Sequence, residues 1–134
     1  ADYLNANLPG EPAPLAIEQF PGGHSNLTYL VRRDTQEYVL RRAPHGPVPP
    51  KAHDMAREFR VLQAVSPWFP PAPKPYLLCE DEAVIGAVFY LMERRQGVVL
   101  RREVPEGWAP AVSHAFLDCL VQLHSVDIEA HGLT

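Results

Sequence analysis

Residues 21–26, Pro-Gly-Gly-His-Ser-Asn, make a glycine-bearing turn between two strand-like runs. Backbone N–H groups bind phosphate oxygens only where no side chain blocks the approach, and glycine removes that block. Gly22 and Gly23 permit such an approach, and Ser25 adds a hydroxyl donor. Further on, Arg41 and Arg42 end a third strand-like run, and Glu58 lies on an amphipathic segment. A flexible lid, a fixed cation and a carboxylate to hold the cation are the parts of a nucleotide-phosphate clamp. Each part also has a plainer reading. Pro-Gly-Gly and Ser-Asn are ordinary hairpin residues, and the turn matches neither the Walker pattern nor G-x-G-x-x-G. Arginines at a strand end often face solvent. The order strand cation, proline loop, helix carboxylate favours the clamp, because a buried arginine needs a counter-charge.

These groups need elements to carry them. Residues 15–42 read as three strands in an antiparallel meander, with Leu27, Tyr29 and Val31 alternating against Thr28, Leu30 and Arg32. Val39 and Arg41 share one face of the third strand, and Leu40 and Arg42 share the other. Pro44 to Pro50 holds four prolines and a glycine and reads as a loop. Over residues 51–65 the period changes, and Met55, Phe59, Leu62 and Val65 fall on one helical stripe. Residues 76–80 and 84–92 read as a second hairpin about Asp81-Glu82, which makes five strands. Residues 1–14 are polar and proline-broken and are expected to cross the surface. A second helix is expected from Pro110 to about Ser125, with Phe116, Cys119, Leu120 and Leu123 on one side.

The chain resembles the N-terminal lobe of the aminoglycoside phosphotransferase family, also called choline-kinase-like. Within that family it is most similar to the kinase-like domain fused to some acyl-CoA dehydrogenases. The resemblance rests on five segments: residues 19–29, residues 38–44, Ala52-His53 through Arg57-Glu58 to Leu62, Phe89-Tyr90-Leu91-Met92-Glu93-Arg94, and Leu123-His124-Ser125-Val126-Asp127. It implies an α+β, protein-kinase-like lobe: a five-stranded antiparallel sheet with one packed helix, then the first helix of a truncated second lobe. Residues 1–97 would form the nucleotide-binding lobe, and residues 98–134 a linker and an incomplete start of the substrate lobe. The resemblance implies ATP and magnesium as cofactors. Gly22, Gly23, His24, Ser25 and Asn26 would cap the phosphates, and Arg41 would pair with Glu58 where many kinases place lysine. Met92 would border adenine, while Glu93 and Arg95 would offer backbone groups to its edge.

Phosphoryl transfer also needs an acceptor-side aspartate, an asparagine and a magnesium-binding aspartate. The family carries them in a His-Gly-Asp-x-x-x-x-Asn loop and a later acidic motif, and neither occurs in the 134 residues. His131-Gly132-Leu133 ends in leucine, which cannot act as a base. No catalytic residue and no metal ligand is therefore assigned to this chain. The expected function is the ATP-binding lobe of a phosphotransferase acting on a small hydroxylated molecule, the chain being inactive alone. The alternatives are a pseudokinase-like nucleotide-binding or interaction module and a plain α+β domain.

Composition limits the partners. A formal net charge of -4 gives no sign of a nucleic-acid or anionic-membrane binder. The longest apolar run, Ala83 to Met92, is too short to span a bilayer, and no secretory signal opens the chain. A cytoplasmic location is expected. Cys79 and Cys119 form no CxxC pair and read as buried reduced thiols. Self-association through residues 112–123 is the remaining expected partnership, because an apolar helical stripe has to be covered.

Overall fold

The computed structural model describes residues 1–21, 26–44 and 53–133. Gly22, Gly23, His24 and Ser25, the 45–50 part of the proline loop and the first two residues of the expected 51–65 helix lie outside the described residues.

Five antiparallel strands form one sheet: β1 (Leu15–Gln19), β2 (Leu27–Arg33), β3 (Gln36–Arg42), β4 (Pro75–Cys79) and β5 (Phe89–Glu93). Their order is β1-β2-β3-β5-β4. The meander of the first three strands and the second hairpin both form as their alternation predicts. β5 pairs with β3, with Arg41 opposite Tyr90 and Leu40 opposite Leu91. β5 is shorter than the run of residues 84–92 suggests. Residues 82–87 turn instead, with Val84 N–H donating to Asp81 O and Gly86 N–H to Glu82 O. Gly86 has φ +77 in this turn, a left-handed conformation that glycine adopts without penalty.

The two faces of the sheet are covered differently. Val31, Tyr38, Leu40, Phe89 and Leu91 point one way and pack with Cys79, Leu4 and Leu8. Leu4 and Leu8 belong to a segment expected to cross the surface as irregular chain. Instead a short helix, α1 (Asp2–Asn7), forms there and buries Leu4. Asn5 Nδ2 donates to Ala13 O at 3.0 Å, and Ala13 N–H donates back to Asn5 Oδ1 at 3.3 Å. That reciprocal pair folds the proline-broken stretch over the helix. Prolines set the break, but two leucines four residues apart supply the apolar face that the sheet can cover.

Helix α2 (Met55–Val65) covers the opposite face. Met55 and Phe59 are buried against Tyr90, with half-buried Leu62, Leu78, Val88 and Met92 around them. The helix begins at Asp54, whose carboxylate accepts from Arg57 N–H at 2.9 Å. Asp54→Ala is expected to cost about 1 kcal/mol by leaving that donor without its cap, measurable as a lowered denaturant midpoint at unchanged slope.

Helix α3 (Ala109–His124) follows an irregular stretch and buries none of its residues. Phe116 is 65% exposed and Val121 67%. Both cysteines are free thiols; Cys79 is buried, but Cys119 on α3 is only half-buried, against the expectation for that stripe. No helix among the described residues is long and apolar enough to cross a membrane.

Candidate active site

Three elements converge on one carboxylate. Arg41 sits near the end of β3, where alternation turns it to the face that α2 covers. Arg42, one residue on, turns to the other face and is buried there, its Nη1 donating to Ile85 O at 3.0 Å. Glu58 stands in the first turn of α2, and its Oε2 lies 3.3 Å from Arg41 Nη2. The side chains of both remain about 30% exposed, so the pair is open to a ligand and partly screened by solvent. Of the two arginines that the sequence leaves open, Arg41 is the one that meets Glu58.

Glu58 holds more than one partner. Tyr90, opposite Arg41 on β5, donates its hydroxyl to Glu58 Oε2 at 2.9 Å. Burial first, then this hydrogen bond and the negative charge behind it, push the Tyr90 hydroxyl well above the ordinary phenol range, with Arg41 opposing. The hydroxyl therefore stays protonated and remains a donor across the whole physiological range. Asn26 Nδ2 reaches Glu58 Oε1 at 3.3 Å, and His53 Nδ1 lies in hydrogen-bond contact with Asn26 Oδ1.

Beside this network lies a cleft of about 380 Å³. Val61, Leu62, Pro73 and Met92 form its apolar wall, and Arg41, Arg57, Glu58 and Tyr90 its polar end. An apolar wall beside a cation suits a ligand that carries both a ring and an anionic group.

The segment after β5 is strapped by its side chains. Arg94 Nη1 pairs with Glu37 Oε2 on β3. Arg95 Nη2 donates to Pro70 O and Ala72 O in the α2–β4 connection and pairs with Glu93 Oε2 at 3.3 Å. Glu93 N–H donates to Lys74 O at 2.7 Å. Side chains here serve the fold.

The structure thus brings Arg41, Glu58 and Met92 to one cleft, with Asn26 joined to them through Glu58, while Glu93 and Arg95 line a separate hollow with Pro70 and Lys74. Gly22, Gly23, His24 and Ser25 are outside the described residues. Sequence reading passed over Tyr90 and His53 as members of this site. Tyr90 was within view only through the pairing of β3 with β5, which no local pattern encodes. Among the described residues no group of three or more histidine, cysteine or acidic side chains is placed to hold a metal ion.

The chain is similar in sequence and fold to known proteins. The family model described as "Phosphotransferase enzyme family" matches residues 16–134. Acyl-CoA dehydrogenase family member 11 of Rattus norvegicus is 41% identical over 139 residues, which covers 98% of this chain and 18% of that protein. The chain therefore spans under a fifth of this curated relative. A Ralstonia eutropha protein assigned as an aminoglycoside phosphotransferase superposes with a TM-score of 0.77 at 36% identity, covering 98% of this chain and 39% of that one. A thermostable variant of aminoglycoside phosphotransferase APH(4)-Ia, solved as a ternary complex with AMP-PNP and hygromycin B, gives a TM-score of 0.62. At 19% identity, over 87% of this chain and 37% of that one, this likeness is one of fold.

Proposed function

Because the chain belongs to the phosphotransferase enzyme family, we propose that it is the ATP-binding lobe of a small-molecule kinase. The parent protein would transfer the γ-phosphate to a hydroxyl of its substrate. The observation that carries this reading is the Arg41–Glu58 ion pair at the polar end of an apolar cleft. Arg41 holds phosphate oxygens, and Glu58 keeps the guanidinium aimed. By the family resemblance, the segment Gly22 to Asn26 would cap the phosphates. Met92 borders the adenine ring, with the Glu93 carbonyl and the Arg95 amide at its edge. ATP supplies the phosphoryl group when bound. Among the described residues no cluster is suited to magnesium.

Residues 1–97 form the nucleotide lobe in this reading, residues 98–134 lead into a substrate lobe, and the protein works in the cytoplasm. The arginine in place of the usual lysine favours one alternative, a pseudokinase-like module that binds nucleotide without transfer. Arginine grips phosphate in a planar fork and is not interchangeable with lysine.

Titrating ATP into the 134-residue chain is the test. Saturable binding without ADP formation is expected, because the residues that position magnesium and acceptor are not among these 134. Absence of binding would defeat the nucleotide reading, and steady hydrolysis lost in Arg41→Ala would defeat the expectation of inactivity.

The exposed face of α3 gives a further expectation. Each large apolar side chain gains about 1.5–3 kcal/mol on full burial, and Phe116, Leu120 and Leu123 are all exposed. The chain alone is expected to associate as concentration rises in sedimentation velocity, and Leu120→Glu to restore the monomer. A wild-type chain that stays monomeric at high concentration would remove this proposal.

A further inference from the structure

We propose that Asn26 and His53 form a positioning relay that fixes the orientation of Glu58 and, through it, of the Arg41 guanidinium. Its consequence for nucleotide binding rests on the function proposed above; its geometry stands without it.

The directions of the hydrogen bonds follow from which groups can donate. An ionised carboxylate only accepts. The Asn26 group facing Glu58 Oε1 at 3.3 Å is therefore its NH₂. That turns the Asn26 carbonyl oxygen toward His53 Nδ1. A carbonyl oxygen also only accepts, so Nδ1 carries the hydrogen. His53 is thus the Nδ1–H tautomer when neutral, and it presents the same donor when protonated.

The two oxygens of Glu58 are consequently held from different elements. Oε2 receives Tyr90 from β5 at 2.9 Å and Arg41 from β3 at 3.3 Å. Oε1 receives Asn26, the residue immediately before β2. A carboxylate gripped at both oxygens has its plane fixed as well as its position. His53 lies two residues before α2 and adopts φ +57, a left-handed conformation uncommon for non-glycine residues, although histidine adopts it more readily than most. Surrounding contacts must hold it there. The relay therefore joins the approach to β2 to the approach to α2, and a shift at Asn26 is passed to Glu58. Asn26 acts in this arrangement by placing the carboxylate rather than by touching phosphate with its side chain.

The direct test needs no variant for its main result. The chain labelled with ¹⁵N-histidine is recorded above the imidazole titration, with His53 assigned by His53→Gln. The expected result is the Nδ1–H tautomer, opposite to the Nε2–H form that free histidine prefers. Asn26→Ala and Glu58→Ala should each return His53 toward Nε2–H. A wild-type His53 with a bare Nδ1 would overturn the relay. In a second arm, Asn26→Ala should weaken ATP binding about tenfold, and by less than about twofold in a Glu58→Ala background. Equal losses in both backgrounds would overturn the coupling. A wild-type chain that binds no ATP would defeat the nucleotide reading, and the tautomer would then decide the relay alone.

Discussion

Arg41→Ala is expected to lower the affinity of the chain for ATP by about 10- to 100-fold, the loss that follows from removing a charge-assisted hydrogen bond worth about 1.5–3 kcal/mol. Two effects act together. The phosphate loses its cation, and Glu58 keeps its charge beside the site, with Tyr90 and Asn26 still donating to it. The uncompensated carboxylate then repels the polyphosphate. Glu58→Ala should cost less, since Arg41 retains its charge and loses only its orientation. Arg41→Lys separates charge from geometry, because lysine keeps the former without the planar fork. Calorimetric titration should give affinities that fall in the order wild type, Arg41→Lys, Arg41→Ala. Wild-type affinity in Arg41→Ala would show that the ion pair supports the fold alone.

The second large effect lies in the core. Phe89→Ala is expected to destabilise the chain by about 3–5 kcal/mol through lost transfer energy and the cavity left behind. Phe89 is 1% exposed, packs edge-on against Tyr3 with ring centroids 6.0 Å apart, and begins the strand that carries Tyr90. A small domain holds only about 5–15 kcal/mol in all, so much of the population should unfold near 37 °C. Equilibrium urea denaturation measures it directly. A loss below about 1 kcal/mol would mean that α1 does not close this face of the sheet in solution.

The two expectations meet in β5, which shows where legibility in the sequence stops. Alternation over residues 27–33 and 38–42 sets which side chains share a face, because a strand has a period of two. It therefore places Arg41 opposite in sense to Arg42 without any tertiary information. The stripe Met55, Phe59, Leu62 and Val65 likewise marks α2 and the side it buries, while the start at Asp54 is known only from the structure. Glu58 follows as the nearest carboxylate on that helix. Weaker signals misled: the apolar run of residues 84–92 continues the strand pattern, yet its first residues turn, because Asp81 O and Glu82 O take the amides of Val84 and Gly86. The N-terminal stretch has prolines enough to read as irregular, yet Leu4 and Leu8 find a sheet face to bury.

By itself the sequence determined the family, the strand and helix periods, and the order of turn, cation and carboxylate along the chain. All of these are local patterns of side-chain size, charge and spacing. The tertiary structure decided which groups surround Glu58. Strand order set β5 beside β3 and so brought Tyr90 opposite Arg41, 49 positions away in sequence. Folding of the α2 approach set His53 against Asn26, 27 positions away. Such neighbours are chosen by the packing of whole faces, which depends on every residue of the sheet at once, and no short segment carries that information.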